Sequence, residues 1–179
     1  MKDIHKKWLI ALQTSKKQKG KLLERNEKGE LCYCCLGVLA RTCNLKQITE
    51  NNTLYFSFSF DTISKSIFLD NREYDLFDQL GCFHKLNLTI NDQKEKHITN
   101  LASLNDITSL SHKDISKFIY IFRDCIIESE GKEKELIELK FEKLSEFKSF
   151  LKESIKKSNF AEDLKKWRKE LNLQEKQKE

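Results

Sequence analysis

The stretch Leu54–Phe60, LYFSFSF, decides how this chain is read. Leu54, Phe56, Phe58 and Phe60 fall on one side, with Tyr55, Ser57 and Ser59 on the other, the period of two that belongs to a half-buried strand. His84–Ile90 (HKLNLTI) repeats the pattern, with Leu86, Leu88 and Ile90 inward. Most of the remaining chain carries a helical period instead. In residues 2–14, Ile4, Trp8, Ala11 and Leu12 share a face. Residues 34–43, within the apolar run LCYCCLGVLARTC, are expected to form a buried helix. Residues 73–80 are read as a short helix ending at Gly81, and Ile98–Leu104 as a short helix or loop. Ser111 is an expected N-cap with Asp114 three positions on, the spacing of a capping box. Behind it, Ile115, Phe118, Ile119, Phe122, Cys125 and Ile126 form an apolar stripe.

Beyond Gly131 the composition turns to Lys and Glu. A long helix is expected over 132–157, on the stripe Ile137, Phe141, Leu144, Phe147, Leu151 and Ile155, followed by a last helix carrying Leu164, Trp167 and Leu171. The expected fold class is therefore α+β: a small antiparallel sheet including 54–60 and 84–90, packed by helices, with a C-terminal helical hairpin. Residues 1–130 are read as the core domain. Residues 131–179 are read as an extension packed on that core or on a second copy, which makes a homodimer through these helices one expected assembly.

The bulk properties bound the function. The chain has 179 residues, 39% hydrophobic and 34% charged, which suits a single core. Its longest apolar runs, such as Phe118–Phe122, are far shorter than the ~20 residues of a spanning helix, and Trp8–Leu12 is too brief for a signal peptide. A cytoplasmic protein with no membrane partner is expected, and six cysteines then read first as buried thiols rather than disulfides. The net charge is +5, unevenly placed: residues 1–29 carry nine Lys/Arg against three Asp/Glu, residues 30–130 ten against fourteen, and residues 131–179 fourteen against eleven.

Several residues could carry chemistry. Cys32, Cys34, Cys35 and Cys43 lie close in sequence, but the C-x-C, C-C and C-x7-C spacings do not match the paired ligands of zinc knuckles, so no metal and no cofactor are expected. Cys34 or Cys35, at a helix N-terminus, is a candidate nucleophile because the helix end favours the thiolate, with His84 as the paired base. Cys35-Leu36-Gly37-Val38-Leu39 resembles the start of the nucleophile helix in cell-wall peptidases of the papain-like class, a second reason to weigh that pair. Asn105 and Asp106 offer directional polar atoms before a helix and, with Gly37, are candidate ligand contacts; turn and capping roles are their bland alternative. Lys16, Lys17, Lys19, Lys21 and Arg25 could meet the phosphates of a nucleic acid, and a solvated loop is the alternative. No Walker loop, dinucleotide fingerprint, HExxH or GxSxG occurs.

Two segments together resemble a family of small phage and prophage proteins. They are Trp8–Leu12 with Gly20, Leu23 and Tyr33-Cys34-Cys35-Leu36-Gly37-Val38-Leu39, and Leu101-Ala102-Ser103-Leu104-Asn105-Asp106 with the helix after Ser111. The match covers roughly residues 5–43 and 98–127. Gln13, Ser15 and His112 depart from the pattern, His112 standing where the family has Phe. The resemblance brings no reaction with it. It implies a mobile-element accessory protein in a bacterial cytoplasm, and hence a non-enzymatic binding protein for a host protein or small molecule. A Cys-dependent hydrolase or transferase and a nucleic-acid binder are the alternatives.

Overall fold

Leu86, Leu88 and Ile90, all within 3% exposure, put the hydrophobic side of one strand against helices, and the core grows from there. A computed structural model describes residues 1, 3–17, 23–43, 46–50, 53–57, 86–91, 95–126 and 137–176. Within these, the order is α1 (Asp3–Leu12), β1 (Leu23–Arg25), β2 (Leu31–Tyr33), α2 (Cys35–Thr42), β3 (Lys46–Glu50), β4 (Thr53–Ser57), β5 (Leu86–Ile90), β6 (Lys96–Ile98), α3 (Leu101–Ile107), α4 (His112–Ile121), α5 (Arg123–Ile126), β7 (Ile137–Phe141), α6 (Leu144–Lys156) and α7 (Phe160–Lys176). The fold class is α+β.

β5 is the middle strand of a three-stranded sheet, β6-β5-β7. β6 runs antiparallel to it, with Leu88 opposite Ile98, and β7 parallel, with Leu88 opposite Leu139. The sheet is thus mixed rather than antiparallel. A parallel pair needs a crossover, and α3, α4 and α5 lie within the connection from β5 to β7. Of the expected strand over 54–60, residues 54–57 lie in β4, paired antiparallel with β3 in a sheet of its own rather than beside β5, and 58–60 lie outside the described residues. β1 and β2 make another two-stranded sheet around the turn at Gly29, whose φ of +74° suits a residue without Cβ. The expected helix over 73–80 lies outside the described residues.

The reading of residues 132–157 is corrected as well. Residues 137–141, read as part of a helix over 132–157, form β7, and the helix is shorter, α6. Ile137, Leu139 and Phe141 alternate with Glu138 and Lys140, and β5 offers a strand edge on which that alternation buries Ile137 to 4% exposure. Phe147 of α6 then fills the space between β7 and α4, with ring centres 5.1 Å from Phe141 and 6.0 Å from Phe118. α4 ends at Ile121, one residue before the cap Phe122, so the stripe expected to be continuous is divided between α4 and α5. α7 lies against α1, burying Leu164, Trp167 and Leu171. No helix among the described residues is long and apolar enough to cross a membrane.

Candidate functional site

α2 starts at the crossing of the N-terminal segment, β2 and α3. Lys17 bridges to Tyr33, whose N–H donates to the Lys16 carbonyl at 3.0 Å, so the chain before β1 is laid along β2. That alignment delivers Cys34 as the N-cap of α2, where its Sγ accepts the Gly37 N–H at 3.3 Å. A thiol does here what a serine hydroxyl usually does at helix starts. Cys35, at 0% exposure, is held on three sides. Its N–H donates to Asn105 Oδ1 at 3.2 Å, its carbonyl accepts Trp8 Nε1–H at 2.8 Å, and its Sγ–H donates to the Leu101 carbonyl at 3.4 Å. Burial pushes the Cys35 thiol well above its usual range, and neighbouring Cys34 adds to this against the opposing pull of Lys17.

Asn105 has 0% exposure and closes the network by donating from Nδ2 to Asp106 Oδ1 at 2.8 Å. Its carboxamide suits the place because one side chain can accept from a helix N-terminus and donate to a carboxylate. Lys17 Nζ donates to the Thr108 and Leu110 carbonyls at the end of α3. Ser15 Oγ sits 2.6 Å from His112 Nδ1, while Nε2 of that ring has no partner among the described residues. Burial first, then the positive Lys17, lowers His112 to about 4, so the ring is neutral near pH 7.

The structure therefore brings Cys34, Cys35, Gly37, Asn105 and Asp106 into one bonded cluster, with Lys17 held to the Thr108 and Leu110 carbonyls. A Cys35 thiol kept protonated and sealed from solvent has neither the charge nor the access of a nucleophile. His84, its proposed base, lies outside the described residues, as do Lys19 and Lys21. Of the other basic candidates, exposed Lys16 pairs with Glu30, and Arg25 Nη1 donates to the Gly29 carbonyl at 2.8 Å. No group of three or more His, Cys, Asp or Glu among the described residues could hold a metal ion.

A second feature was not foreseen. Between α1 and α7 lies a groove of about 500 Å³ lined by Lys7, Ile10, Ala11, Thr14, Arg168, Leu171 and Asn172. Beside it the helices are tied by Lys6, whose Nζ lies 3.4 Å from Glu170 Oε2 and 3.0 Å from Asp3 Oδ1. Its walls come from opposite ends of the chain, so no local motif announces it.

Against known proteins, no family model matches the chain, and no solved structure matches it. It is 30% identical over 98 residues to the ribosomal RNA small subunit methyltransferase G of Bacillus velezensis, an alignment covering 48% of this chain and 41% of that protein. The chain thus spans less than half the length of this relative. That similarity overturns the expected non-enzymatic binding protein of phage type, since the relative is an enzyme that bears no phage name.

Proposed function

We propose that this chain acts on structured RNA in the cytoplasm, with methyl transfer as its reaction class and ribosomal RNA as its first candidate substrate. The observation that carries this reading is the identity of 30% over 98 residues with a ribosomal RNA methyltransferase. The surface charge supports it. Among the described residues from Lys143 to Asn172, nine Lys and Arg side chains are exposed against three Glu. A helical pair of that sign attracts a phosphate backbone without regard to sequence. Methyl transfer to RNA joins a nucleophilic atom of a base or ribose to the methyl carbon as the donor's bond to that carbon breaks. The protein's share of the work is then to hold an anionic polymer beside a sulfonium donor.

The test is to incubate the purified chain with tritiated S-adenosylmethionine and small ribosomal subunits or their naked RNA. Tritium in the RNA above a heat-denatured control is expected, together with retention of the RNA that weakens steeply as salt rises. Salt-sensitive retention without tritium would remove methyl transfer and leave RNA contact. Neither signal would overturn the reading.

A further inference from the structure

We infer that one flank of α6 is a phosphate ladder, on which Lys148, Lys152 and Lys156 contact successive phosphates along one strand of double-stranded RNA. This rests on the RNA reading above and gives it a place. The helix, LSEFKSFLKESIK, sorts its side chains by direction. At about 100° per residue, Lys148, Lys152 and Lys156 form an i, i+4, i+8 row, with Ser145 and Ser149 beside it. All five are exposed. Glu146 and Glu153, the acidic residues of α6, fall on the far side of the exposed arc, while Phe147 and Leu151 face the core at 0% and 1% exposure. Neither Lys148 nor Lys152 forms an ion pair among the described residues. Lys156 meets Glu153 at 3.0 Å, an exposed pair of the kind that contributes little in water and yields to a stronger anion.

The spacing suits a nucleic-acid backbone. Neighbouring residues of such a row stand about 5–6 Å apart at Cβ, close to the separation of successive phosphates along an RNA strand. The two serine hydroxyls add donors that phosphate oxygens accept. Phe147 and Leu151 anchor the helix in the core, so the charges are aligned before the ligand arrives and binding orders little beyond side-chain ends. The flank carries no aromatic ring. Phe147 and Phe150 turn toward Phe141 instead, with ring centres 5.1 and 5.5 Å from it. Single strands are held by stacking bases on exposed rings, whereas the A-form duplex is recognised by its shape and its phosphate and 2′-hydroxyl groups. The row therefore fits the duplex. Leu144 and Ile155 also pack toward the core, which leaves this flank no apolar side chain to insert into a lipid surface.

Fluorescence anisotropy with a labelled twenty-base-pair RNA duplex tests this on the full chain. Four proteins are compared: the unchanged chain, the pair Lys148→Ala with Lys152→Ala, the pair Lys148→Arg with Lys152→Arg, and the pair Lys143→Ala with Lys157→Ala at the two ends of α6, off the row. The alanine pair in the row is expected to weaken binding about tenfold and to flatten the salt dependence by the equivalent of about two phosphate contacts, and the arginine pair to retain both. The Lys143 and Lys157 pair removes the same charge and should cost less than about threefold. The melting temperature should stay unchanged in all four. A single-stranded oligouridylate of equal length should bind the unchanged chain about fivefold more weakly. Equal losses from the two alanine pairs would mean diffuse attraction and overturn the ladder. So would an equal loss in the arginine pair, or tighter binding of the single strand. Tighter binding of a labelled decaglutamate or of phosphatidylserine vesicles would overturn it by making an acidic protein segment or a membrane the occupant. If the alanine pair in the row still binds the duplex and methylates ribosomal RNA as before, the ladder fails while the RNA reading stands; if the unchanged chain binds no RNA, both fail.

Discussion

Asn105 does at residue scale what packing alone cannot. The first turn of α2 presents N–H groups with no intrahelical partner, in a place where no water reaches. Oδ1 of Asn105 takes one of them, and Nδ2 finds Asp106. Truncation would leave the Cys35 N–H buried without an acceptor, a desolvation cost of about 1–3 kcal/mol, and open a small cavity beside it. Asn105→Ala is expected to lower the unfolding free energy by about 2–3 kcal/mol, read as a fall in the urea midpoint at unchanged slope. A loss under about 0.5 kcal/mol would show that the network is replaceable. From sequence, Asn105 and Asp106 read first as turn and capping residues and only second as ligand contacts, because the partner of Asn105 is 70 residues away and no local pattern reports it.

At the scale of elements, the difference between what the sequence foretells and what it hides comes from burial on one side or on all. α4 is legible because its stripe faces one way and its capping box is local: Asp114 N–H reaches Ser111 Oγ at 3.2 Å and Ser111 N–H reaches Asp114 Oδ2 at 3.3 Å. β5 is legible for the same reason. α2 is buried from Cys35 to Ala40 without a break, so its period is masked, and only the cap at Cys34 separates it from β2. β7 is harder still. Ile137, Phe141 and Leu144 satisfy a helical stripe, and Ile137, Leu139 and Phe141 satisfy an alternation; the open edge of β5 decides between them. Phe147 is the test of that choice, since its ring at 0% exposure ties α6 to both β7 and α4. Phe147→Ala should cost about 3–5 kcal/mol in chemical unfolding. If Phe147 stood on one long exposed helix from residue 132, the same change would cost about 1 kcal/mol or less.

At the scale of the whole molecule, buried titratable groups set the pH range in which these contacts persist. His112 is at 2% exposure and lowered to about 4 from its usual 6.5. Its folded form resists the proton that the unfolded chain accepts. The stability this represents is complete above pH 6.5 and drains away as pH falls toward 4, by roughly 2–3 kcal/mol. Tyr120 works at the other limit. Burial first, then its hydrogen bond to Asp163 at 2.6 Å, raises the phenol from 10 to about 12. Its contribution is complete below pH 10 and is lost as pH rises toward 12, when the unfolded chain ionises and the folded one does not. Stability should therefore form a plateau from about pH 6.5 to about 8.5, where the unfolded chain begins to ionise the thiol that folding keeps protonated at Cys35, with Tyr120 extending the basic limb. The acid shoulder belongs to a ring that also meets Ser15, and through Ser15 and Lys17 the N-terminal segment is pinned to the start of α4 and the end of α3. His112→Phe keeps a ring of similar size and removes the titration. Urea unfolding of the two proteins at pH 7 and pH 4.5 should show a loss on acidification that is smaller by about 2 kcal/mol in the Phe variant. Equal losses would assign the acid limb to the carboxylates and detach His112 from it.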